Sequence, residues 1–330
     1  ADALYAHTDS RLDRSRYSIY IDDLAIITRS RQECERLQKA YIAACQRAGF
    51  AVKFEKVVRP SADGVDVIGV ELHGTLHTVG LRPDKLARLV TDTVTLLRRG
   101  RATGRDMEQL VGRWTWAVLP RRAALACFSS VYRFIGCARD KPFEIWPSVE
   151  RELSIVAGLA PLLRAELKAP FAESIIATDA SRDGFAVVAA PALPAAAEEV
   201  AACAPVVPPP PPQPLVCEEI EDGVLSARWS TIISSPFRAD PRHINEGECI
   251  AVVSAVKWAL SRPRLLGTRL VVLTDSAVVA AVVSKGRSSA FAMLRRCRLL
   301  AALLLAASCY IVPRWIPSQL NPADGPSRFF

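Results

Sequence analysis

Two stretches of this chain repeat one pattern: Ile175-Ile176-Ala177-Thr178-Asp179-Ala180-Ser181 and Val271-Val272-Leu273-Thr274-Asp275-Ser276-Ala277. Each is an apolar run that ends in Thr-Asp and passes into small residues. A run without polar alternation fits a strand buried on both faces, the habit of strands covered by helices on each side. An Asp at the carboxyl end of such a strand sits where open α/β sheets hold their ligands. If the two strands are neighbours, their carboxylates converge. Like charges that close cannot both stay ionised without compensation, and a divalent cation is the natural compensation. An Asp just before a helix is also explained as an N-cap, and Asp275 directly precedes a short helical stretch. The repetition weakens that second explanation.

Glu248 adds a third acid. It lies in the first turn of a helical segment, residues 246–260, that is otherwise apolar (Cys249, Ile250, Ala251, Val252, Val253, Ala255, Val256, Trp258). A carboxylate on a buried stripe requires a partner, whereas its neighbour Glu246 can be a plain first-turn acid. Around these acids the pattern reads as strands over 174–179 and 185–190, flanking a turn at Ser181-Arg182-Asp183-Gly184. Residues 191–214 are rich in Ala and Pro and include five consecutive prolines, Pro208 to Pro212. Such a segment favours polyproline II and is expected to be an exposed loop insertion. Then come a strand (223–230), the Glu248 helix, a strand (269–275), two helices (276–284 and 290–307), a strand (310–316) and a polar tail. The order β-β-β-α-β-α-α-β implies an α/β fold, a mixed sheet with flanking helices.

These pieces, in this order, resemble the ribonuclease H domain of retrotransposon reverse transcriptases, and are most similar to the DIRS-like group. The matching segments are Thr178-Asp179-Ala180-Ser181, Arg228-Trp229-Ser230, His243-Ile244-Asn245-Glu246-Gly247-Glu248, Thr274-Asp275-Ser276, and Asn321-Pro322-Ala323-Asp324-Gly325-Pro326-Ser327-Arg328. The resemblance implies that Asp179, Glu248, Asp275 and Asp324 bind two Mg²⁺ or Mn²⁺ ions. It also implies hydrolysis of the RNA strand of RNA–DNA hybrids, with 2′-hydroxyl contacts giving selectivity for RNA. Two departures stand out: Ser276 replaces an Asn frequent in that group, and no His follows His243, so a loop histidine that aids some ribonucleases H is missing.

The N-terminal half extends the resemblance. Tyr20-Ile21-Asp22-Asp23, between Ser18-Ile19 and Leu24-Ala25-Ile26-Ile27, looks like the palm hairpin of a reverse transcriptase, with Asp22 and Asp23 as its metal ligands. A helix over 31–48 ending at Gly49 follows, with short strands near 51–54 and 65–72. Residues 49–56 resemble a Gly-Leu-x-x-Asn-x-x-Lys segment of that family, with Lys53 in place of Asn and Lys56 matching the lysine. Val67-Ile68-Gly69-Val70 is similar to the segment leading into the primer grip, and Gly112-Arg113-Trp114-Thr115-Trp116 to part of the helical thumb and connection. The expected layout is a partial palm (1–80), a helical thumb/connection (81–170) broken at Gly104, Pro120, Pro142 and Pro147, and the ribonuclease H-like domain (171–330, with 191–222 inserted). A polymerase of that kind needs a third carboxylate from a separate strand, and Asp9 and Asp13 lie too close to Asp22 to supply it. Fingers and first palm strand are therefore expected outside this chain, and DNA synthesis is not expected from it alone.

The formal charge is +8, and the cations are bunched: Arg98, Arg99, Arg101 and Arg105; Arg121 and Arg122; Arg295, Arg296 and Arg298. Bunched cations suit a polyanion, because they release counterions along a phosphate backbone. Lys56, Lys285, Arg287, Arg295 and Arg296 are the candidates to hold the hybrid; for Lys285 and Arg287 a plain solvated role fits equally well. Nine scattered cysteines without a C-x-x-C pair argue against a disulfide framework and for a reducing, intracellular setting, cytoplasmic or nuclear. His73 and His77 have metal-pair spacing but flank a turn without a thiol nearby. The longest uncharged apolar run, residues 299–312, is too short to span a bilayer and reads as a buried helix passing into a strand. Two rivals remain: a catalytically inactive, domesticated nucleic-acid-binding scaffold, and a DNA-cutting nuclease of the same fold such as a resolvase or integrase. The first leaves an intact carboxylate set unexplained, the second a palm-like N-terminal half.

Overall fold

A computed structural model describes residues 16–20, 23–207, 227–238 and 243–329, and the chain divides into two compact units, Ala1–Arg82 and Pro83–Phe330. In the first, strands β1 (Arg16–Tyr20) and β2 (Asp23–Ile27) pair antiparallel, with Tyr20 opposite Asp23. Helix α1 (Arg31–Arg47) is capped by Ser30, whose hydroxyl accepts the Glu33 N–H at 3.1 Å, and the chain leaves it through Gly49 at φ +79. Two strand expectations fail here. Residues 51–54 form no strand; the segment ends in a 3₁₀ turn (Phe54–Lys56), and Phe50 and Phe54 are exposed, so no apolar face drives pairing. The expected strand over 65–72 is instead a hairpin of β3 (Val65–Val67) and β4 (Val70–His73), followed by β5 (Thr78–Gly80). Its turn places Ile68 at φ +47 and Gly69 at φ +83. Tight hairpin turns need two such residues, and a β-branched residue rarely accepts the conformation, which hid the turn.

The second unit begins with helices α2 (Pro83–Arg99), α3 (Gly104–Val118), α4 (Ser130–Ala138) and α5 (Pro147–Leu159). A 3₁₀ stretch (Leu119–Cys127) joins α3 to α4, and β6 (Arg101–Ala102) pairs with β7 (Phe143–Glu144). The break falls at Gly100 (φ +69) rather than Gly104, because Thr103 and Asp106 form a capping box that starts α3. Gly104 serves packing: a Cβ there would lie 2.6 Å from the Ile135 carbonyl oxygen at the end of α4. Trp114, Met107, Phe134 and Leu153 fill this layer, and the Trp114 indole N–H donates to Thr93 Oγ1 at 2.9 Å.

After the two-residue strand β8 (Ala165–Glu166) comes a five-stranded mixed sheet: β9 (Phe171–Ala180), β10 (Gly184–Pro191), β11 (Ser230–Pro236), β12 (Arg269–Thr274) and β13 (Tyr310–Trp315), in spatial order β11-β10-β9-β12-β13. β9, β12 and β13 run parallel; β10 is antiparallel to both β9 and β11. Alternate residues of the apolar runs serve opposite faces. Ile176 and Val272 pack under helices α7 (Ile244–Leu260), α8 (Ala277–Lys285) and α9 (Phe291–Ala306), and Ile175 and Val271 pack on the other side. That other side corrects the insertion reading: Pro194–Cys203 is a helix, α6, whose Ala197, Val200 and Ala201 cover the sheet. Alanine is the best helix former, and Pro194 at its first turn is tolerated there. The five prolines lie outside the described residues. The third strand is Ser230–Pro236, not 223–230, of which 223–226 also lie outside them; Thr231, Ile232 and Ile233 supply its β-branched residues. The 299–312 run is the end of α9 entering β13, and no helix among the described residues is long and apolar enough to cross a membrane.

Candidate metal centre

Strand register builds the site. Thr178 of β9 is aligned with Thr274 of β12, so Asp179 and Asp275, one residue further on, emerge side by side at the carboxyl end of two parallel strands. The third acid arrives from α7. Gly247 lets that helix ride close to the sheet, since a Cβ there would meet the Phe237 ring at 2.9 Å and Ala180 Cβ at 3.4 Å. Glu248, the next residue, reaches over β9, and its Oε1 accepts the Ala180 N–H at 3.2 Å. One carboxylate oxygen from each of Asp179, Glu248 and Asp275 lies within 4.8 Å of the others.

Among the described residues no cationic side chain contributes to the shifts of Asp179 or Glu248. Asp179 and Glu248 are each 5 % exposed; Asp275 is half-buried. Burial first, then the charges of Asp179 and Asp275, push the Glu248 carboxyl up to about 9, against the Ala180 N–H that favours its ionised form. Burial likewise raises Asp179 to about 6, opposed by a hydrogen bond from Ser327 and aided by the charges of Asp275 and Asp324. Glu248 Oε2 is buried and has no hydrogen-bond partner among the described residues. A buried carboxylate oxygen without a donor is costly, and a hard divalent cation coordinated by oxygens satisfies it. The donor set therefore fits Mg²⁺ or Mn²⁺.

The fourth expected ligand stands beside this group. Asp324 opens the short helix α10 (Asp324–Arg328), and its Oδ1 accepts from Arg328 at 2.6 Å. It lies outside the three-residue cluster, although its charge is felt at Asp179. Of the palm-like pair, Asp22 lies outside the described residues and Asp23 opens β2. Lys56 is exposed at the end of its 3₁₀ turn. His73 closes a turn by accepting the Leu76 N–H at Nδ1 (3.2 Å).

The basic residues divide. Lys285 ends α8 and Arg287 follows Gly286, both exposed; Gly286 packs tightly against the backbone of Arg122, whose side chain is also exposed. Arg295 is exposed on α9, while Arg296 is half-buried with Nη2 3.4 Å from Glu246 Oε1. Two arginines grouped by sequence with the phosphate binders are spent on the interior instead. Arg121, 6 % exposed, donates to the Leu304 and Cys309 carbonyls and lies over the Tyr310 ring. Arg298 donates to the Ala126 and Cys127 carbonyls and to Glu152 at 2.8 Å.

Three residues at the site were not singled out by sequence: Ser327, whose Oγ is 2.5 Å from Asp179 Oδ2; Asn321, which donates to the Thr178 carbonyl; and Trp315, whose indole N–H donates to the Asp275 carbonyl. The first two fall in the segment 321–328 that carried the resemblance, so the signal was present without a role attached.

No family model and no curated protein matches this chain. Among solved structures it is similar to foamy viral protease-reverse transcriptase. With the dRH form in complex with double-stranded DNA it shares 12 % identity at TM-score 0.38, over 91 % of this chain and 46 % of that one. With the RNA/DNA hybrid complex the values are 13 %, 0.33, 94 % and 58 %. With the dsDNA complex they are 14 %, 0.35, 92 % and 55 %. The chain thus spans about half the length of these structures.

Proposed function

We propose that the sheet-bearing unit is a ribonuclease H-type nuclease that cuts the RNA strand of RNA–DNA hybrids within a retroelement reverse transcriptase. The observation that carries this is the meeting of Asp179, Glu248 and Asp275 with a buried Glu248 oxygen that has no donor among the described residues. These three residues would hold Mg²⁺ or Mn²⁺, and Asp324, once drawn from Arg328, would complete a two-ion set. When bound, such ions supply a water nucleophile at neutral pH and stabilise the leaving oxygen. The chain's own part is to hold four acids at one sheet edge, and to grip the phosphate backbone through Lys285, Arg287, Arg295, Arg296 and, in the first unit, Lys56. The DIRS-like resemblance of segments 178–181, 243–248 and 321–328 supports the choice of hybrid as substrate. The palm-like 1–80 and helical 81–170 segments belong to the same reading. DNA synthesis is assigned only to a longer chain that adds a third palm carboxylate, so templated primer extension should be absent here.

The Arg328–Asp324 pair favours one second reading, a scaffold that binds hybrid without cutting it. Labelled RNA–DNA hybrid incubated with Mn²⁺ or Mg²⁺ separates the two. The nuclease reading expects cuts in the RNA strand only, lost with EDTA and with Asp179→Asn, and none in duplex DNA. Folded protein that binds hybrid and leaves it whole establishes the scaffold.

A further inference from the structure

We propose that Ser327 is the positioning residue that sets Asp179 for metal binding, with the segment from Asn321 to Ser327 acting as the clasp that holds it; the proposal rests on the metal-centre reading above. Ser327 is completely buried although it belongs to a five-residue helix near the end of the chain. Its Oγ lies 2.5 Å from Asp179 Oδ2 and 2.8 Å from the Asp324 carbonyl oxygen. A hydroxyl carries one hydrogen, and against an ionised Asp179 both neighbours are acceptors. The charged carboxylate takes the stronger bond. One oxygen of Asp179 is thereby fixed, and with it the torsion about the Cβ–Cγ bond, which is soft for an Asp left free. A ligand held in one orientation before the cation arrives loses less freedom on binding it.

Besides the Ser327 bond to Asp179, the clasp is tied at several points. Asn321 is 6 % exposed; its Nδ2 donates to the Thr178 carbonyl at 3.2 Å and its Oδ1 accepts the Ala323 N–H at 3.1 Å. Ser181 Oγ donates to the Ser327 carbonyl at 2.7 Å, and Ser234 Oγ to the Pro326 carbonyl at 2.8 Å. The segment therefore lies across β9, the β9–β10 turn and β11; it carries Asp324, and its Ser327 hydroxyl is the group that reaches Asp179. These ties also provide the control, because they separate docking of the segment from the contact with Asp179.

Mn²⁺ binding to the full chain, freed of metal with a chelator, is followed by titration calorimetry, with the melting temperature of each variant in EDTA as the measure of folding. Ser327→Ala should fold and bind Mn²⁺ about 10- to 100-fold more weakly, the range for losing a hydrogen bond behind a ligand. Ser181→Ala should lower the melting temperature and leave Mn²⁺ affinity within about twofold of wild type, since it removes one tie to the Ser327 backbone and leaves the Ser327 hydroxyl against Asp179. If Ser327→Ala does not fold, Ser327→Cys, close in volume and a weak donor, replaces it with the same expectation. Unchanged affinity in a folded Ser327 variant overturns the proposal. So does an equal loss in Ser181→Ala, which would assign the effect to docking. Wild-type protein that binds no Mn²⁺ overturns the metal centre along with it, and is distinguishable because no variant comparison is then needed.

Discussion

The same compact unit holds two sets of like charges, the inward-turned Arg121 and Arg298 and the acids of the sheet edge, and the fold treats them in opposite ways. Arg121 and Arg298 are surrounded by acceptors: backbone carbonyls, the Tyr310 ring and Glu152, which also receives the N–H groups of Ser129, Ser130 and Val131 at the start of α4. Asp179, Glu248 and Asp275 instead face one another, and one Glu248 oxygen is without a donor among the described residues. Buried charge that is fully paired is architecture. Buried acids that raise one another's pKa point to something that arrives from outside, because folding alone gains nothing from their meeting.

The contrast can be broken first at the acids. Asp179→Asn or Glu248→Gln should cut hybrid cleavage by on the order of 10³-fold while the protein stays folded; retained cleavage in single-turnover assays would remove these residues from the chemistry. A second test is thermodynamic. The Glu248 and Asp179 carboxyls are raised in the folded chain to about 9 and about 6, above their ordinary values of 4.5 and 3.8. The folded state then binds more protons than the unfolded state, so this stabilisation is complete below about pH 4 and is lost as pH rises through 6 and then 9. In EDTA the melting temperature should fall by several degrees between pH 5 and pH 9. Mn²⁺ should restore most of it at the alkaline end, and Glu248→Gln should flatten the slope. A melting temperature that climbs steadily with pH in EDTA would contradict the electrostatics of the cluster.

The arginines give smaller effects of the opposite kind. Arg298→Ala should destabilise the chain by about 1–3 kcal/mol, the worth of hydrogen bonds to a charged group, without changing the salt dependence of hybrid binding; urea unfolding and binding isotherms read the two separately. Removing Arg122, Lys285 or Arg287 should do the reverse. Each should leave stability alone and lower the slope of log affinity against log salt by about 1. The same slope for Arg298→Ala and Lys285→Ala would erase the distinction between paired and free cations.

Much of the sheet was legible because its information is local and repeated. The Thr-Asp runs marked β9 and β12, the uncharged run marked the passage from α9 to β13, and Gly49 marked a helix end. What stayed hidden depended on tertiary partners. Helix α6 lay inside a Pro-rich segment and is amphipathic only against the sheet face it covers. The Ile68-Gly69 turn used a residue type that avoids its conformation. At the site, acid identity and the neighbouring of Asp179 and Asp275 followed from pattern, but Ser327 and Asn321 are ordinary polar residues whose burial nothing in the sequence announces. The arginines show the same limit from the other side, since bunching in sequence does not say which members face inward.

The bonds made by Arg121 and Arg298 have a bearing on how this chain could be dismantled. A shortened chain beginning at Phe171 would keep the whole sheet and every acid of the centre, yet it would strip Leu304 of α9 and Cys309, just before β13, of the Arg121 guanidinium that satisfies both carbonyls, and leave Arg298 without Glu152. A complete set of acids and a sealed interior would then part company. A shuffling event that transplanted only the piece from Phe171 onward would carry the acid cluster together with an open seam along α9.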